Sequence, residues 1–285
     1  MKVDVIIVGS GQAGIPLAAR LARAGKQVLL AERGELGGTC VNTGCTPTKT
    51  MIASARAAHV ARTSARLGVR AGPVQVDLPA IVDRKDAIVR RWREGAEKRL
   101  REGGDHVTLV RGQARFTGER RIELAGETHS ADIVVLDVGA RPATPPVDGL
   151  GNVPWLSYET VMQLRELPSH LLVLGGGYIG CEFGQMFRRF GAQVTIVDVV
   201  PHLLSREDPE ISSALESVFR DEASVSSWAR ESKGSRARRA ASRCGSRVEG
   251  SCAAHIYWSR PAGGRTPTTS DARPRASRST RKVSS

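Results

Sequence analysis

The chain has 285 residues, enough for one large domain or two domains of ordinary size. No apolar run reaches the roughly 18–20 residues of a membrane span, and the first residues lack the apolar stretch and cleavage site of a signal peptide. The five cysteines are too few for a disulfide scaffold of this length. We therefore expect a soluble, cytoplasmic protein without a membrane partner.

The charge is distributed unevenly along the chain. The formal net charge is +13, but residues 223–285 hold 14 Lys or Arg and only 3 Asp or Glu residues. Residues 1–222 contain 21 leucines and all five phenylalanines, whereas the remainder contains neither residue type. The sequence therefore predicts a nearly neutral folded body that ends near residue 222 and a disordered basic tail.

The chain begins with a β-α-β pattern. The apolar run over residues 3–8 predicts a buried parallel strand, residues 15–24 predict a helix, and residues 27–31 predict a second strand that ends at Glu32. The turn between the first strand and the helix carries Gly9, Gly11 and Gly14.

A second β-α-β pattern begins beyond residue 170. Strands are predicted over residues 171–174 and 193–197, with a helix over residues 181–190 between them. The turn carries Gly175, Gly177 and Gly180, and the second strand ends at Asp198. The middle of the chain predicts a helix over residues 78–101, strands over 107–116, 121–124 and 132–138, and a linker over 142–154. The pattern predicts an α/β fold with two doubly wound, Rossmann-like domains, the first over residues 1–145 and the second a partial one over residues 146–222.

Both glycine turns have the chemistry of a dinucleotide site. The N–H groups and dipole of a helix N-terminus favour a pyrophosphate, and glycines let the backbone approach it closely. Glu32 and Asp198 each follow the third glycine of their turn by 18 residues, where a carboxylate can accept hydrogen bonds from ribose hydroxyls. An acid at position 198 favours a free 2′-hydroxyl, and therefore NADH over NADPH.

Two cysteines follow the first unit. Cys40 and Cys45 flank Gly44, so the two thiols could close a small disulfide ring, and a predicted helix over residues 51–65 follows them. Thiols near a helix N-terminus have lowered pKa values and react more readily. The pair is interpreted as a redox pair, with a metal site or two incidental buried cysteines as the alternatives. The six histidines are scattered without ligand spacing, so no metal ligands are assigned.

The segment Gly-Gly-Thr-Cys-Val-Asn-x-Gly-Cys-x-Pro-x-Lys over residues 37–49 resembles the redox-active segment of class I pyridine nucleotide–disulfide oxidoreductases. This family includes mercuric reductase, dihydrolipoamide dehydrogenase and glutathione reductase. The resemblance covers residues 1–222, including both glycine turns, residues 132–142 and residues 177–184.

The resemblance implies FAD at the first turn and NADH or NADPH at the second. Electrons would pass from the nicotinamide through the flavin to a Cys40–Cys45 disulfide, and then to a disulfide or thiol-bound metal substrate. Cys45 would be the flavin-side thiol and Cys40 the exchanging thiol. Lys49 would lie near the flavin and pair with Glu182. Further FAD contacts are implied for Gly38, Thr39, Ala114 and Gly139.

The resemblance also sets limits. Val138 stands where the family has a small polar residue, which puts the local flavin contact in doubt. Family members run to about 450 residues, form homodimers and take an acid/base His–Glu pair from the partner subunit. Nothing after Glu222 matches that region, so we expect most dimer contacts to be absent and turnover to be weak or lost.

The tail has three explanations: an arm that binds nucleic acid, an inert solvated tail, or out-of-frame translation. Out-of-frame translation also explains one short string of residues in the tail. Codons for Pro-Asn-Thr-Asp-Asp-Leu, which is common in the family, give Arg-Thr-Pro-Thr-Thr-Ser when shifted by one nucleotide, and this string stands at residues 265–270. The alternatives to an oxidoreductase are therefore a nucleotide-binding module with a nucleic-acid-binding tail and a non-functional frameshift product.

The out-of-frame explanation has a direct test at the level of the gene. Deleting or inserting one base near codon 222 is expected to restore a long, family-like reading frame. Sequencing that finds no such frame contradicts the explanation.

Overall fold

The computed structural model describes residues 1–143, 147 and 149–222, together with the backbone of residues 228–230. The predicted basic tail otherwise lies outside these residues, and so does the nucleic-acid alternative that depends on it. The strands and helices are β1 (Lys2–Val8), α1 (Gly14–Arg23), β2 (Val28–Glu32), α2 (Gly38–Asn42), α3 (Cys45–Thr63), α4 (Leu78–Arg101), β3 (Val107–Arg111), β4 (Arg115–Gly118), β5 (Arg121–Leu124), β6 (Glu127–Leu136), β7 (His170–Leu174), α5 (Tyr178–Phe190), β8 (Gln193–Asp198), α6 (Pro209–Asp221) and β9 (Trp228–Arg230).

The chain forms two compact units. Among the described residues, the first unit contains residues 1–38 and 93–140, and the second contains residues 39–92 and everything from residue 141 onward. This packing differs from the boundary drawn at residue 145, because the cysteine segment belongs to the second unit. The domain boundaries themselves stay a prediction.

The first unit is built on a six-stranded sheet with the order β3-β2-β1-β6-β5-β4. Strands β3, β2, β1 and β6 are parallel, whereas β5 and β4 form an antiparallel meander. The predicted strand over residues 107–116 is divided into β3 and β4. Gly112, whose φ is +154°, interrupts the predicted strand.

Side-chain alternation along the parallel strands buries both faces of this sheet. Val5 and Ile7 pack with Ile15 and Ala18 of α1, on the same side as Leu100 of α4. A second buried cluster joins β1 and β2 to β5 and β6; its members are Val3, Ile6, Leu29, Ala31, Ile122, Leu124 and Ala131. Burial on two faces explains the continuous apolar runs of β1 and β2.

The second unit is built around the parallel strands β7 and β8, with β9 beside β8. Its core combines three helices with these strands: Met51 and Ala55 come from α3, and Phe183 and Phe187 come from α5. Phe219 adds α6, a helix that the sequence analysis did not identify. The sequence analysis expected residues 223–285 to be disordered. Within that segment, however, the backbone of β9 continues the sheet for three residues.

The third glycine of the first turn gives a test of this packing. A Cβ on Gly14 would lie 2.1 Å from the Gly9 carbonyl oxygen, so α1 must shift away from β1 to accept it. We expect Gly14→Ala to lower the free energy of unfolding by about 1–3 kcal/mol or more, measured by denaturant titration.

Gly95 is the matched control, because it lies in α4 with nothing within 4 Å of its added Cβ. Gly95→Ala is expected to raise stability by up to about 1 kcal/mol through helix propensity. Equal stabilities for the two variants would contradict the close approach at Gly14.

Candidate active site

The first glycine turn joins the end of β1 to α1. Gly9 adopts a φ of +107°, and a Cβ there would lie 2.0 Å from the Asp137 carbonyl oxygen. Gly38 also approaches this turn, because its added Cβ would lie 2.8 Å from the Gly11 Cα. Side chains are therefore excluded where the chain passes from strand to helix.

The N-terminus of α1 offers unpaired donors. Within the described part of the chain, no acceptor faces the backbone N–H groups of Gly11, Gln12 and Ala13. Gln12 and Ala13 are exposed. Donors of this kind at a helix N-terminus suit a pyrophosphate.

Glu32 lies at the end of β2, beside the same turn. Its Oε2 accepts hydrogen bonds from the Ser10 N–H (2.9 Å) and the Ser10 hydroxyl (2.6 Å), and its Oε1 accepts one from the Gly34 N–H (2.7 Å). Partial burial acts to raise the pKa of this carboxyl, but the hydrogen bonds from Ser10 and Gly34 outweigh it and lower the pKa. Glu32 is therefore held ionised, as an acceptor.

The second turn repeats this geometry. Gly175 adopts a φ of +103°, and a Cβ on Gly180 would lie 1.9 Å from the Gly175 carbonyl oxygen. Asp198 corresponds to Glu32, since its Oδ2 accepts a hydrogen bond from the Gly176 N–H at 2.7 Å and its Oδ1 accepts one from the Val200 N–H at 3.2 Å. In both turns, the acid binds the N–H of the residue that follows the first glycine.

The cysteine pair is brought together by a short helix and a glycine. Cys40 lies in α2, Cys45 is the first residue of α3, and both are free thiols. A Cβ on Gly44 would lie 2.9 Å from the Thr39 carbonyl oxygen and 3.2 Å from the Cys40 Cα. The absence of that Cβ lets the chain turn back, which brings the Cys45 thiol close enough to raise the pKa of Cys40.

The expectation of lowered thiol pKa values is wrong for Cys40. Partial burial and the neighbouring Cys45 thiol raise the pKa of Cys40. Cys40 lies inside α2 rather than at the N-terminus of the longer α3, so it gains little from a helix dipole.

Helix α3 is attached to the second glycine turn through α5. Lys49, one turn beyond Cys45, forms an ion pair with Glu182, the fifth residue of α5. Farther along, Arg62 donates a hydrogen bond to the Arg189 carbonyl oxygen, and the Arg189 guanidinium binds Glu222 at 2.6 and 2.8 Å. The cysteine helix and the helix of the second turn therefore pack as one body within this unit.

The remaining residues implied by the resemblance occupy loops. In the first unit, Ala114 lies between β3 and β4, and Gly139 follows β6 with a φ of +65°. Val138, which precedes Gly139, exposes 46% of its surface. Thr39 is exposed in α2, and its carbonyl oxygen accepts a hydrogen bond from the Thr43 N–H at 2.9 Å.

The sequence analysis missed two groups that touch the first turn. Ser10 is fully buried and binds Glu32 twice. Asp137, the residue directly after β6, accepts a hydrogen bond from the Gly14 N–H at 2.8 Å. The signal for Asp137 was available, because a polar residue at the carboxyl end of a parallel strand lies at the ligand-binding edge of such sheets.

The described residues contain no group of three or more His, Cys, Asp or Glu side chains that could hold a metal ion. None of their helices has the length and apolar character needed to cross a membrane.

The two glycine turns and their acids define a protein of the dinucleotide-binding α/β class. The family model described as pyridine nucleotide-disulphide oxidoreductase matches residues 3–232. The chain belongs to this family, and the match passes the boundary expected near residue 222.

Curated relatives carry two kinds of name. A mercuric reductase of Streptomyces lividans is 39% identical over 226 residues, which cover 77% of this chain and 47% of the relative. A dihydrolipoyl dehydrogenase of Thermus scotoductus is 35% identical over 221 residues, with coverage of 77% and 47%. The chain thus spans about half the length of the curated relatives it matches.

A solved structure of a flavoprotein disulfide reductase is also similar to this chain. The HOCl-induced flavoprotein disulfide reductase RclA from Escherichia coli is similar with a TM-score of 0.67 and 32% identity, over 77% of this chain and 47% of RclA. The expected α/β fold, with two Rossmann-like parts, is confirmed.

The thiol environments predict an order of alkylation in the flavin-free chain. Cys45 is exposed, Cys40 is half-buried with a raised pKa, and burial together with the charges of Asp198 and Glu182 raises the pKa of Cys181 to about 12. Iodoacetamide at neutral pH is expected to label Cys45 first, Cys40 several-fold more slowly and Cys181 hardly at all, as measured by peptide mass spectrometry.

Labelling of Cys40 is expected to accelerate as the pH rises, because a raised pKa places thiolate formation at higher pH. Faster labelling of Cys40 than of Cys45 at neutral pH would contradict this assignment.

Proposed function

We propose that this chain provides the FAD-binding and NAD(P)H-binding parts of a flavoprotein disulfide oxidoreductase. Electrons would pass from the nicotinamide cofactor through FAD to a Cys40–Cys45 disulfide, and then to a small disulfide or thiol-bound metal substrate. The observation that carries the proposal is the bend at Gly44, which brings Cys45 back beside Cys40 at the start of α3. Lys49 of the same helix is paired with Glu182 of α5. Relatives named mercuric reductase and dihydrolipoyl dehydrogenase support it.

The first turn fits FAD. Gly11 and its two neighbours offer unpaired N–H donors for the pyrophosphate, and Glu32 is an ionised acceptor for ribose hydroxyls. Gly38, Thr39, Ala114, Gly139 and Lys49 are proposed to complete the contacts. When bound, FAD supplies the hydride acceptor and the electron pair that opens the disulfide.

The second turn fits a nicotinamide dinucleotide, and we propose that it prefers NADH. No atom of the described part of the chain lies within 4 Å of a Cβ added to Gly175 or Gly177, which leaves room for a pyrophosphate beside the backbone. Asp198 accepts a hydrogen bond from the Gly176 N–H, which places its carboxylate beside the turn. That negative charge would accept a ribose hydroxyl and repel a 2′-phosphate.

The thiol chemistry follows from the two environments. In the reduced pair, the Cys40 thiolate attacks one sulfur of a substrate disulfide and releases one substrate thiol. The Cys45 thiolate then attacks the Cys40 sulfur, which releases the second thiol and restores the Cys40–Cys45 disulfide. Because the pKa of Cys40 is raised, its step is faster at higher pH or with a base that takes its proton.

The proposal also includes an oligomeric state and a location in the cell. The resemblance implies a homodimer, and this remains part of the proposal together with a cytoplasmic location. Lipoamide, glutathione disulfide and Hg(II) are the candidate substrates of the proposed reaction.

Reductive titration of the chain reconstituted with FAD tests the proposal. Wild-type protein is expected to consume about twice the reducing equivalents per bound flavin that Cys40→Ser or Cys45→Ser consumes, because the disulfide is itself a two-electron couple. Anaerobic dithionite titration, followed by flavin absorbance, gives the count.

Cys181→Ser serves as the control variant, because this buried thiol lies outside the pair, and it is expected to titrate like the wild type. Replacing dithionite by the two nicotinamide cofactors compares them directly: NADH is expected to reduce the flavin at lower concentration than NADPH. Equal uptake by the wild type and both pair variants, or failure to bind FAD, would overturn the proposed function.

A further inference from the structure

Asp137 places a carboxylate at the helix end where the first dinucleotide is proposed to bind. Its Oδ2 accepts the Gly14 N–H at 2.8 Å, and the same oxygen lies 2.8 Å from the position of a Cβ added to Gly11. Within the described residues, no cationic side chain forms an ion pair with Asp137. An uncompensated negative charge is therefore in contact with the turn.

The backbone holds Asp137 in this position. Its N–H donates to the Val8 carbonyl oxygen at 2.8 Å, directly after the parallel pairing of Val8 with Leu136. Its own carbonyl oxygen lies 2.0 Å from the position of a Cβ added to Gly9. Rotation of the side chain can change the carboxylate position, but the residue itself remains beside the turn.

Among the described residues, no such group lies against the second glycine turn. Cβ atoms added to Gly175 and Gly177 meet none of their atoms within 4 Å, although the turn and its acid otherwise repeat the first. The difference arises from the sheets: β6 runs beside β1 in the first unit, whereas β7 is an edge strand among the described strands of its sheet. The carboxylate is thus a specific feature of the first site.

We infer that Asp137 is a residue that limits the affinity of the first site for its dinucleotide. Before binding, the carboxylate satisfies the Gly14 N–H and interacts favourably with the dipole of α1. After binding, it stands near the pyrophosphate, and two negative charges at such distances repel each other. Asp137 therefore stabilises the empty turn and opposes the filled one.

This inference rests on the proposed function, because it takes FAD as the ligand of the first turn. The informative change is Asp137→Asn, which keeps an oxygen acceptor for Gly14 and removes the charge. The full-length Asn variant is expected to bind FAD about five- to tenfold more tightly than the wild type. Without FAD, its Tm is expected to fall by about 1–4 °C, because the helix loses its favourable charge.

The opposite signs of these two effects distinguish the inference from a purely structural role, which would weaken binding and stability together. The measurements are FAD fluorescence quenching for Kd and calorimetry of the flavin-free chain for Tm. The gain in affinity is expected to shrink at high salt, because added ions screen the repulsion. Asp132→Asn is the matched control, since Asp132 is an exposed residue of β6, the strand that Asp137 directly follows, and is expected to change neither quantity.

The possible results distinguish a failure of the role inferred for Asp137 from a failure of the proposed function. FAD binding that is equal or weaker in Asp137→Asn than in the wild type would overturn the role of Asp137 and leave the proposed function intact. FAD binding by neither protein would overturn the proposed function and the inference with it. Binding by the variant alone would support the inference in its strongest form.

Discussion

The approach of a helix N-terminus to the end of a strand is the constraint on which both nucleotide sites depend. In each turn, the third glycine comes so close to the carbonyl oxygen of the first that an added Cβ would overlap it, at 2.1 Å in one turn and 1.9 Å in the other. This approach brings the N-terminus of the helix, where N–H groups lack partners within the helix, to the end of the strand. The acids Glu32 and Asp198 then fix the turn from the neighbouring strand by binding the N–H after the first glycine.

The cysteine helix depends on a different kind of contact. Its apolar face, with Met51 and Ala55, shares a core with Phe183 and Phe187 of α5. Lys49–Glu182 and the Arg189–Glu222 pair add polar links between the elements of this unit. The residues nearest to Cys45 in the chain are thereby held by the helix that begins at the second glycine turn, which suits the electron exchange proposed for the cysteine pair.

Much of the fold followed from local patterns. The runs of β1, β2, β7 and β8 are apolar because both faces of each strand are covered, and the helices α1 and α5 follow glycine turns that mark where they begin. The sequence also indicated Glu32, Asp198 and the cysteine pair, since their spacing reflects the β-α-β geometry. It did not indicate that residues 39–92 pack with the second unit, because the burial of Met51 against Phe187 joins positions far apart in the chain.

The sequence by itself determined the two glycine turns and the cysteine pair, because glycine spacing, strand length and cysteine spacing are local quantities. Only the tertiary structure decided the electrostatics. The pKa of Cys40 rises because of burial and a thiol across the bend at Gly44, which the helix-dipole expectation did not include. The charge of Asp137 reaches the α1 N-terminus because β6 lies beside β1. The two strands are more than a hundred positions apart in the chain, so their pairing is set by the fold and not by any local pattern.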